Sequence, residues 1–119
     1  MNQIILSGIV QGDVEFRKTD KYKIAKYSLM VMRTSAAKDG SRYCFFDCTA
    51  FDDQADFAEA YIKKGKMLTV CGECLIEKYV KDGIRHKKVE VLVNRQEFTF
   101  PKTIEAKLLK DVLEGKNGE

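Results

Sequence analysis

Aromatic side chains in a strand-like segment give this sequence its clearest chemical signal. Over residues 43–51, alternation of side chains separates an apolar face from a face that carries Phe45 and Phe51 at its two ends. Asp47 and Thr49 lie between these rings. Rings exposed above a sheet can stack on nucleic-acid bases, because every base has a π-face. Core packing is the alternative role for such rings, above all for Phe51 next to a helix start.

A second segment, residues 74–81, joins an aromatic residue to basic ones and runs into an Asp82-Gly83 turn. Tyr79 is its stacking candidate, and Lys78 precedes it. Basic side chains neutralise phosphates, although a lone surface lysine is usually only solvated. The candidate phosphate contacts are Arg17, Lys64, Lys78, Lys81, Arg85, Lys87 and Lys88.

Length and composition predict one soluble globular domain. The chain has 119 residues, of which 45% are hydrophobic and 33% charged, and its net charge is +3. This weak positive charge permits contact with nucleic acid without requiring it. The sequence lacks the run of about 18 apolar residues that a membrane span needs, and its first residues do not resemble a signal peptide. We therefore expect a cytoplasmic protein with no membrane contact.

Two cysteine pairs, Cys44/Cys48 and Cys71/Cys74, raise the question of a metal site. A Cys-x2-Cys spacing is typical of zinc ligands. Both pairs lie in strand-like runs, however, and alternation directs Cys71 and Cys74 to opposite faces. The pattern favours free, buried thiols in a reducing compartment and no cofactor, with a zinc-stabilised domain as an alternative.

Catalysis is not expected from this sequence. The only histidine is His86, and we interpret it as an exposed loop residue. No pair of carboxylates has the spacing of a recognisable catalytic site.

The order of elements predicts an all-β fold, a five-stranded OB-fold Greek-key barrel. The expected strands cover residues 4–10 (resuming at 14–17), 23–34, 43–51, 67–81 and 87–100, with a bulge or close backbone approach at Gly8. A helix is expected after the third strand. It is capped by Asp52 or Asp53, buries a face with Ala55, Ala58, Tyr61 and Ile62, carries Lys63 and Lys64 in its last turn and stops at Gly65. Residues 1–100 form the predicted domain, and residues 101–119 a short amphipathic helix with a frayed end.

Several segments, in this order, resemble the bacterial-type single-stranded DNA-binding proteins. Residues 1–8 resemble the family's opening strand, and residues 58–65 its Tyr-Leu-x-Lys-Gly helix end. Residues 13–17, 45–51 and 70–74 resemble three further family segments. The chain departs from the family in having no tryptophan and in placing Asp47, Asp53 and Glu77 where basic residues are common. It also lacks the family's glycine-rich linker and acidic C-terminal tip.

The resemblance implies a non-catalytic protein that binds single-stranded DNA without strong sequence preference and protects it in replication, recombination or repair. Phe45, Phe51 and Tyr79 match the family's stacking positions, while Lys81 to Lys88 would form a basic finger beyond the barrel. The implied assembly is a dimer or tetramer, with an open edge of the first strand in the interface, and replication or repair proteins are further implied partners. The alternative is a primosomal-type OB-fold adaptor whose main role is protein–protein interaction.

Overall fold

The computed structural model of the chain describes residues 1–98 and Lys107. Its strands form a closed barrel in the order β1-β2-β3-β5-β4. The elements are β1 (Ile4–Lys18), β2 (Lys23–Met32), β3 (Tyr43–Phe51), α1 (Asp53–Tyr61), β4 (Met67–Lys81) and β5 (Ile84–Phe98). Five strands with a helix between the third and fourth confirm the predicted OB-fold. The predicted C-terminal helix lies outside the described residues, apart from Lys107. No helix in the described part of the chain is long and apolar enough to cross a membrane.

The core lies inside the barrel, where alternate residues of every strand point inward. Leu29, Leu68 and Val91 are fully buried there. One polar pair also enters the core: the Tyr27 hydroxyl donates a 2.7 Å hydrogen bond to Gln96 Oε1. Burial raises the pKa of this hydroxyl, which keeps it protonated as a donor. The Gln96 amide in turn donates to the backbone oxygen of Gln54 at 3.0 Å, so the pair fastens α1 to the barrel.

Two glycines let the barrel walls approach each other closely. A Cβ atom at Gly8 would clash with the carbonyl oxygen of Met30, and one at Gly72 with that of Leu92. The close approach predicted at Gly8 is therefore confirmed. Opposite Gly72 the β4–β5 register shifts and leaves Asn94 as an extra residue of β5, which bends that strand.

Helix α1 begins differently from the prediction. Asp52 is the residue before the helix, with a φ of 52°, but its carboxylate makes no capping hydrogen bond. It instead accepts a 3.2 Å bond from the backbone N–H of Lys23. Asp52 therefore ties the helix start to β2, and its predicted role as a side-chain cap is wrong.

The helix also ends earlier than predicted, at Tyr61. Ile62 has extended backbone and is buried, so Lys63 and Lys64 lie beyond the helix and not in its last turn. Tyr61 was expected on the buried face, yet 60% of it is exposed. Gly65 does adopt a positive φ of 87°, but in the turn that leads to β4.

Strand β1 pairs with β4 from Ile4 to Ile9 along one side and with β2 from Ile9 to Lys18 along the other. The open edge expected over residues 4–10 is therefore covered by β2 at Ile9 and Val10. Within the described part of the chain, residues 4–8 have β4 as their only strand partner. The strand also continues to Lys18 through a register shift between Gln11 and Glu15.

Candidate nucleic-acid interface

The outer side of β2 and β3, here called the outer sheet face, carries the aromatic side chains predicted for stacking. Phe45 is 54% exposed and Phe51 is 38% exposed. Their neighbours on β2 are Met30 and Ile24. Both rings are thus open to solvent and supported by apolar side chains, which leaves their faces available to a planar ligand.

Phe51 belongs to an aromatic pair that the sequence pattern does not reveal. Its ring lies 5.8 Å from that of Tyr22, centroid to centroid, at an interplanar angle of 69°. Tyr22 lies in the β1–β2 turn, which is held by three hydrogen bonds between Thr19 and Tyr22, of 2.8 Å, 3.0 Å and 3.1 Å. Arg17, Tyr22 and Lys26 line one shallow cavity. Glu15 also lines this cavity. This end of the outer sheet face therefore combines two rings and two cations with one carboxylate, and rings beside cations are what single-strand binding uses.

Strands β4 and β5 extend past the barrel as a free ribbon. Their pairing continues to Lys81 and Ile84 at the tip, whereas β1 stops pairing with β4 at Gly72 and β3 pairs with β5 only from Glu90 to Leu92. The turn between them has positive φ at both residues, 54° at position 82 and 76° at position 83, which suits a two-residue hairpin. We call residues 77–88 the basic hairpin.

Tyr79 and His86 face each other across the basic hairpin. They are register partners, and their rings stack with centroids 5.2 Å apart and planes 18° apart. Tyr79 remains 47% exposed, while His86 is half-buried. The interpretation of His86 as an exposed loop residue is therefore wrong: it lies in β5 against a candidate stacking residue.

Lys78 lies beside Tyr79 in sequence but on the other face of the ribbon, since side chains alternate along a strand. Its register partner is Lys87. Residues from both faces of the ribbon nevertheless line one cavity: Lys78, Tyr79, Val80, Arg85, His86 and Lys87. Four of the predicted contacts, Lys78, Tyr79, Arg85 and Lys87, thus meet around this cavity. Lys81 and Lys88 lie on the same ribbon outside it.

A row of acidic side chains crosses the centre of the outer sheet face. Asp47 is the register partner of Glu90, and both line a cavity with Asp13 and Glu15. Lys26 and Lys88 line the same cavity, so four carboxylates there face two cations. The Thr49 hydroxyl donates a hydrogen bond to Glu90, which explains why Thr49 is buried although it points outward. This acidic row separates the Phe51 end of the face from the Phe45 end.

The acidic row also affects the thiol beneath it. Burial, together with the negative charges of Asp47 and Glu90, raises the pKa of Cys48 from 9.0 to about 12. All four cysteines are free thiols. Cys48 is buried, whereas the other three are half-buried, so the prediction of burial is wrong for those three. Within residues 1–98, no three His, Cys, Asp or Glu side chains converge as a metal site would require.

Lys64 shares no described cavity with another predicted contact. It lines a cavity beside α1 with Phe16, Glu59 and Ile62. Phe16 also lines the cavity of Arg17, and Asp13 lines both the Lys64 cavity and the one with Asp47, so these cavities adjoin one another along β1.

Comparison with known proteins places this geometry in a family. The model described as "Single-strand binding protein family" matches residues 1–99. Single-stranded DNA-binding protein 1 of Staphylococcus aureus is 31% identical over 105 residues, which cover 86% of this chain and 63% of the relative. The single-stranded DNA-binding protein of Bacillus cereus is 32% identical over 105 residues, 86% of this chain and 62% of the relative.

The chain thus spans somewhat less than two thirds of the length of these relatives. Among solved structures, the small single-stranded DNA-binding protein from Streptomyces coelicolor superposes with a TM-score of 0.72 at 18% identity, over 82% of this chain and 94% of that one. That likeness supports the fold. The match over residues 1–99 shows that the chain belongs to the single-strand binding protein family.

Proposed function

We propose that this protein binds single-stranded DNA without strong sequence preference, and that it does so as a non-catalytic binding domain. The observation that carries the proposal is the arrangement of exposed rings at both ends of the outer sheet face and on the basic hairpin. Family membership and relatives named as single-stranded DNA-binding proteins support it.

Stacking supplies one part of the proposed affinity. Phe45 and Tyr79 each expose about half of their surface, so a base can cover a ring without disturbing the core. Each stacked base contributes about 1–3 kcal/mol in proteins of this kind, and every base can do so because all have a π-face. Stacking on these rings and on the Phe51–Tyr22 pair therefore gives binding with little sequence preference.

Phosphate neutralisation supplies the other part. The basic hairpin has five basic side chains against Glu77 and Asp82, a net charge of +3. The whole chain also has a net charge of +3, so the remaining residues sum to zero. The positive potential is therefore concentrated on the free ribbon. We expect the DNA to follow this ribbon and to reach Arg17 at the far end of the outer sheet face.

Anisotropy of a labelled oligo-dT tests the proposal. We expect saturable binding that weakens with salt and far weaker binding of a duplex. Tyr79→Ala and Phe45→Ala should each lower affinity by about 1–3 kcal/mol, because each removes a stacking ring. Val80→Ala is the matched control, since Val80 is on the same ribbon and 68% exposed but aliphatic.

Equal losses of affinity in Val80→Ala and Tyr79→Ala would show that the hairpin matters only for structure. If the ring variants bind DNA like the parent but melt at a lower temperature, the rings stabilise the fold and do not contact DNA.

A second candidate function, an adaptor for another protein, is favoured by the acidic row. Asp13, Glu15, Asp47 and Glu90 repel phosphates but suit a basic protein surface. A salt titration separates the two functions. Neutralising phosphates releases counterions, so DNA binding should weaken with a log–log slope of about −0.7 per contact. Binding to oligo-dT that is undetectable even at low salt would favour the adaptor.

We further propose that the chain self-associates through the outer side of β1 and β4, as a dimer or tetramer. Ile5, Ile9 and Met67 are 61%, 38% and 42% exposed there, and Ile9 and Met67 are register partners. Apolar side chains grouped on an outer face favour contact with a second copy. Light scattering should then show a mass above 13.6 kDa.

Protection of DNA during replication, recombination or repair completes the proposed role. We place this role in the reducing cytoplasm, where the free thiols are stable.

A further inference from the structure

His86 and Tyr79 form a two-ring platform, and we propose that His86 makes single-stranded DNA binding pH-dependent. The inference rests on the proposed function. Its structural basis is the cross-strand stack, with centroids 5.2 Å apart and planes 18° apart. One broad side of the Tyr79 ring is occupied by the imidazole. Tyr79 is still 47% exposed, so a base can stack on its free side and extend the column to three rings.

The stack gives His86 a positioning role. Exposed side chains on a two-stranded ribbon lose rotational freedom when a ligand binds, and this loss weakens binding. A neighbouring ring that already holds Tyr79 in place reduces that loss. This effect depends on the ring of His86 and not on its charge, so a phenylalanine at position 86 should preserve it.

The charges around His86 determine what its protonation does. Lys78, Arg85 and Lys87 line the same cavity. Lys81 and Lys88 lie on its own face of the ribbon, together with one carboxylate, Glu77, the register partner of Lys88. The next carboxylates along that face are Glu90 of β5 and its partner Asp47 of β3. Phosphates of a bound strand attract an imidazolium ion, because an opposite charge nearby favours the charged form.

Thermodynamic linkage between proton binding and DNA binding determines the direction of the pH effect. DNA that favours the charged imidazole raises its pKa, so the complex holds more protons than the free protein around the ordinary pKa of about 6.5. Affinity must then rise as pH falls through this range. His86 is the only histidine, and histidine is the side chain whose ordinary pKa lies between pH 5 and 8. The difference between the parent and a variant without the imidazole therefore isolates the effect of this one ring.

The test is oligo-dT anisotropy at pH 8 and pH 5.5 with the parent and His86→Phe, whose ring stacks but does not protonate. Thymine does not titrate over this range. We expect the parent to bind about two- to fivefold more tightly at pH 5.5, the effect of one exposed ion pair. Its salt slope should become more negative by about 0.7, the value for one added phosphate contact. His86→Phe should match the parent at pH 8 and show neither change. His86→Ala should bind more weakly than both at pH 8.

Identical pH profiles in the parent and His86→Phe would overturn the inference, and so would an unchanged salt slope in the parent. His86→Phe and His86→Ala binding equally at pH 8 would overturn the positioning role. These outcomes leave the proposed function intact, since all of them require oligo-dT binding. Absence of binding by the parent at pH 8 and low salt would instead refute the proposed function, and the inference with it.

Discussion

Replacing Asp47 by arginine should tighten DNA binding, because Asp47 lies in the acidic row directly beside Phe45 on the outer sheet face. The substitution removes one negative charge and adds one positive charge, so the net charge of the chain changes from +3 to +5. A strand stacked on Phe45 brings a phosphate to within roughly two residue steps of position 47, about 7 Å at the spacing of a β-strand.

Coulomb's law then gives the size of the effect. Two unit charges about 7 Å apart in water interact by about 0.6 kcal/mol. Screening leaves roughly two fifths of this at 0.15 M salt and roughly four fifths at 0.01 M. Since the charge changes by two units, affinity should increase by about 0.5 kcal/mol at the higher salt and about 0.9 kcal/mol at the lower. These free energies correspond to about twofold and fivefold tighter binding.

The assay is anisotropy with oligo-dT at both salt concentrations, with melting temperatures to confirm that the variant is folded. Glu59→Arg is the matched control, because it changes the charge equally on the exposed side of α1. If Asp47→Arg tightens binding no more than Glu59→Arg does, position 47 does not face the strand. The proposed DNA path across Phe45 would then be wrong.

Two further predictions concern the barrel itself. Gly8→Ala should destabilise the fold by about 1–3 kcal/mol or more, because the new methyl group meets the backbone of β2; urea denaturation against an exposed control on the same strand, Lys18→Ala, measures this, and equal stability would refute the close approach. The Cys48 thiol has a folded-state pKa of about 12, above its ordinary value of 9.0. The folded protein therefore favours the neutral thiol, and this stabilisation is fully present below about pH 9. As pH rises toward 12, the free energy of unfolding should fall by about 1.4 kcal/mol per pH unit. Cys48→Ala should remove this part of the alkaline destabilisation in pH-dependent denaturation curves, and an unchanged pH profile would contradict the assignment.

Local patterns predicted much of the fold because they depend on near neighbours in the sequence. Alternation over residues 43–51 gave the bounds and faces of β3 correctly. The Asp82-Gly83 turn was also correct, and a two-residue turn pairs Lys81 with Ile84 and Tyr79 with His86. The stack was therefore implicit in the sequence. It was missed because the last strand was predicted to begin at residue 87 and not at Ile84.

Other features depend on distant parts of the chain. Tyr22 meets Phe51 only after β1, β2 and β3 have aligned, and Glu90 approaches Asp47 through the parallel pairing of β3 with β5. Lys64 lies beyond α1 because the helix ends at Tyr61 and Ile62 enters the core. Sequence spacing alone does not reveal these contacts, because each depends on how the barrel closes.

Photo-crosslinking tests the central claim most directly, because it reports which side chains touch the bases. An oligonucleotide with halogenated uracils would be bound at low salt, irradiated and mapped on the protein by mass spectrometry. We predict adducts on Tyr79 and Phe45 and at the Phe51–Tyr22 pair. Tyr61, which is 60% exposed on α1, serves as the internal control and should remain unmodified. Adducts concentrated on Tyr61, with none on the outer sheet face or the basic hairpin, would contradict the account.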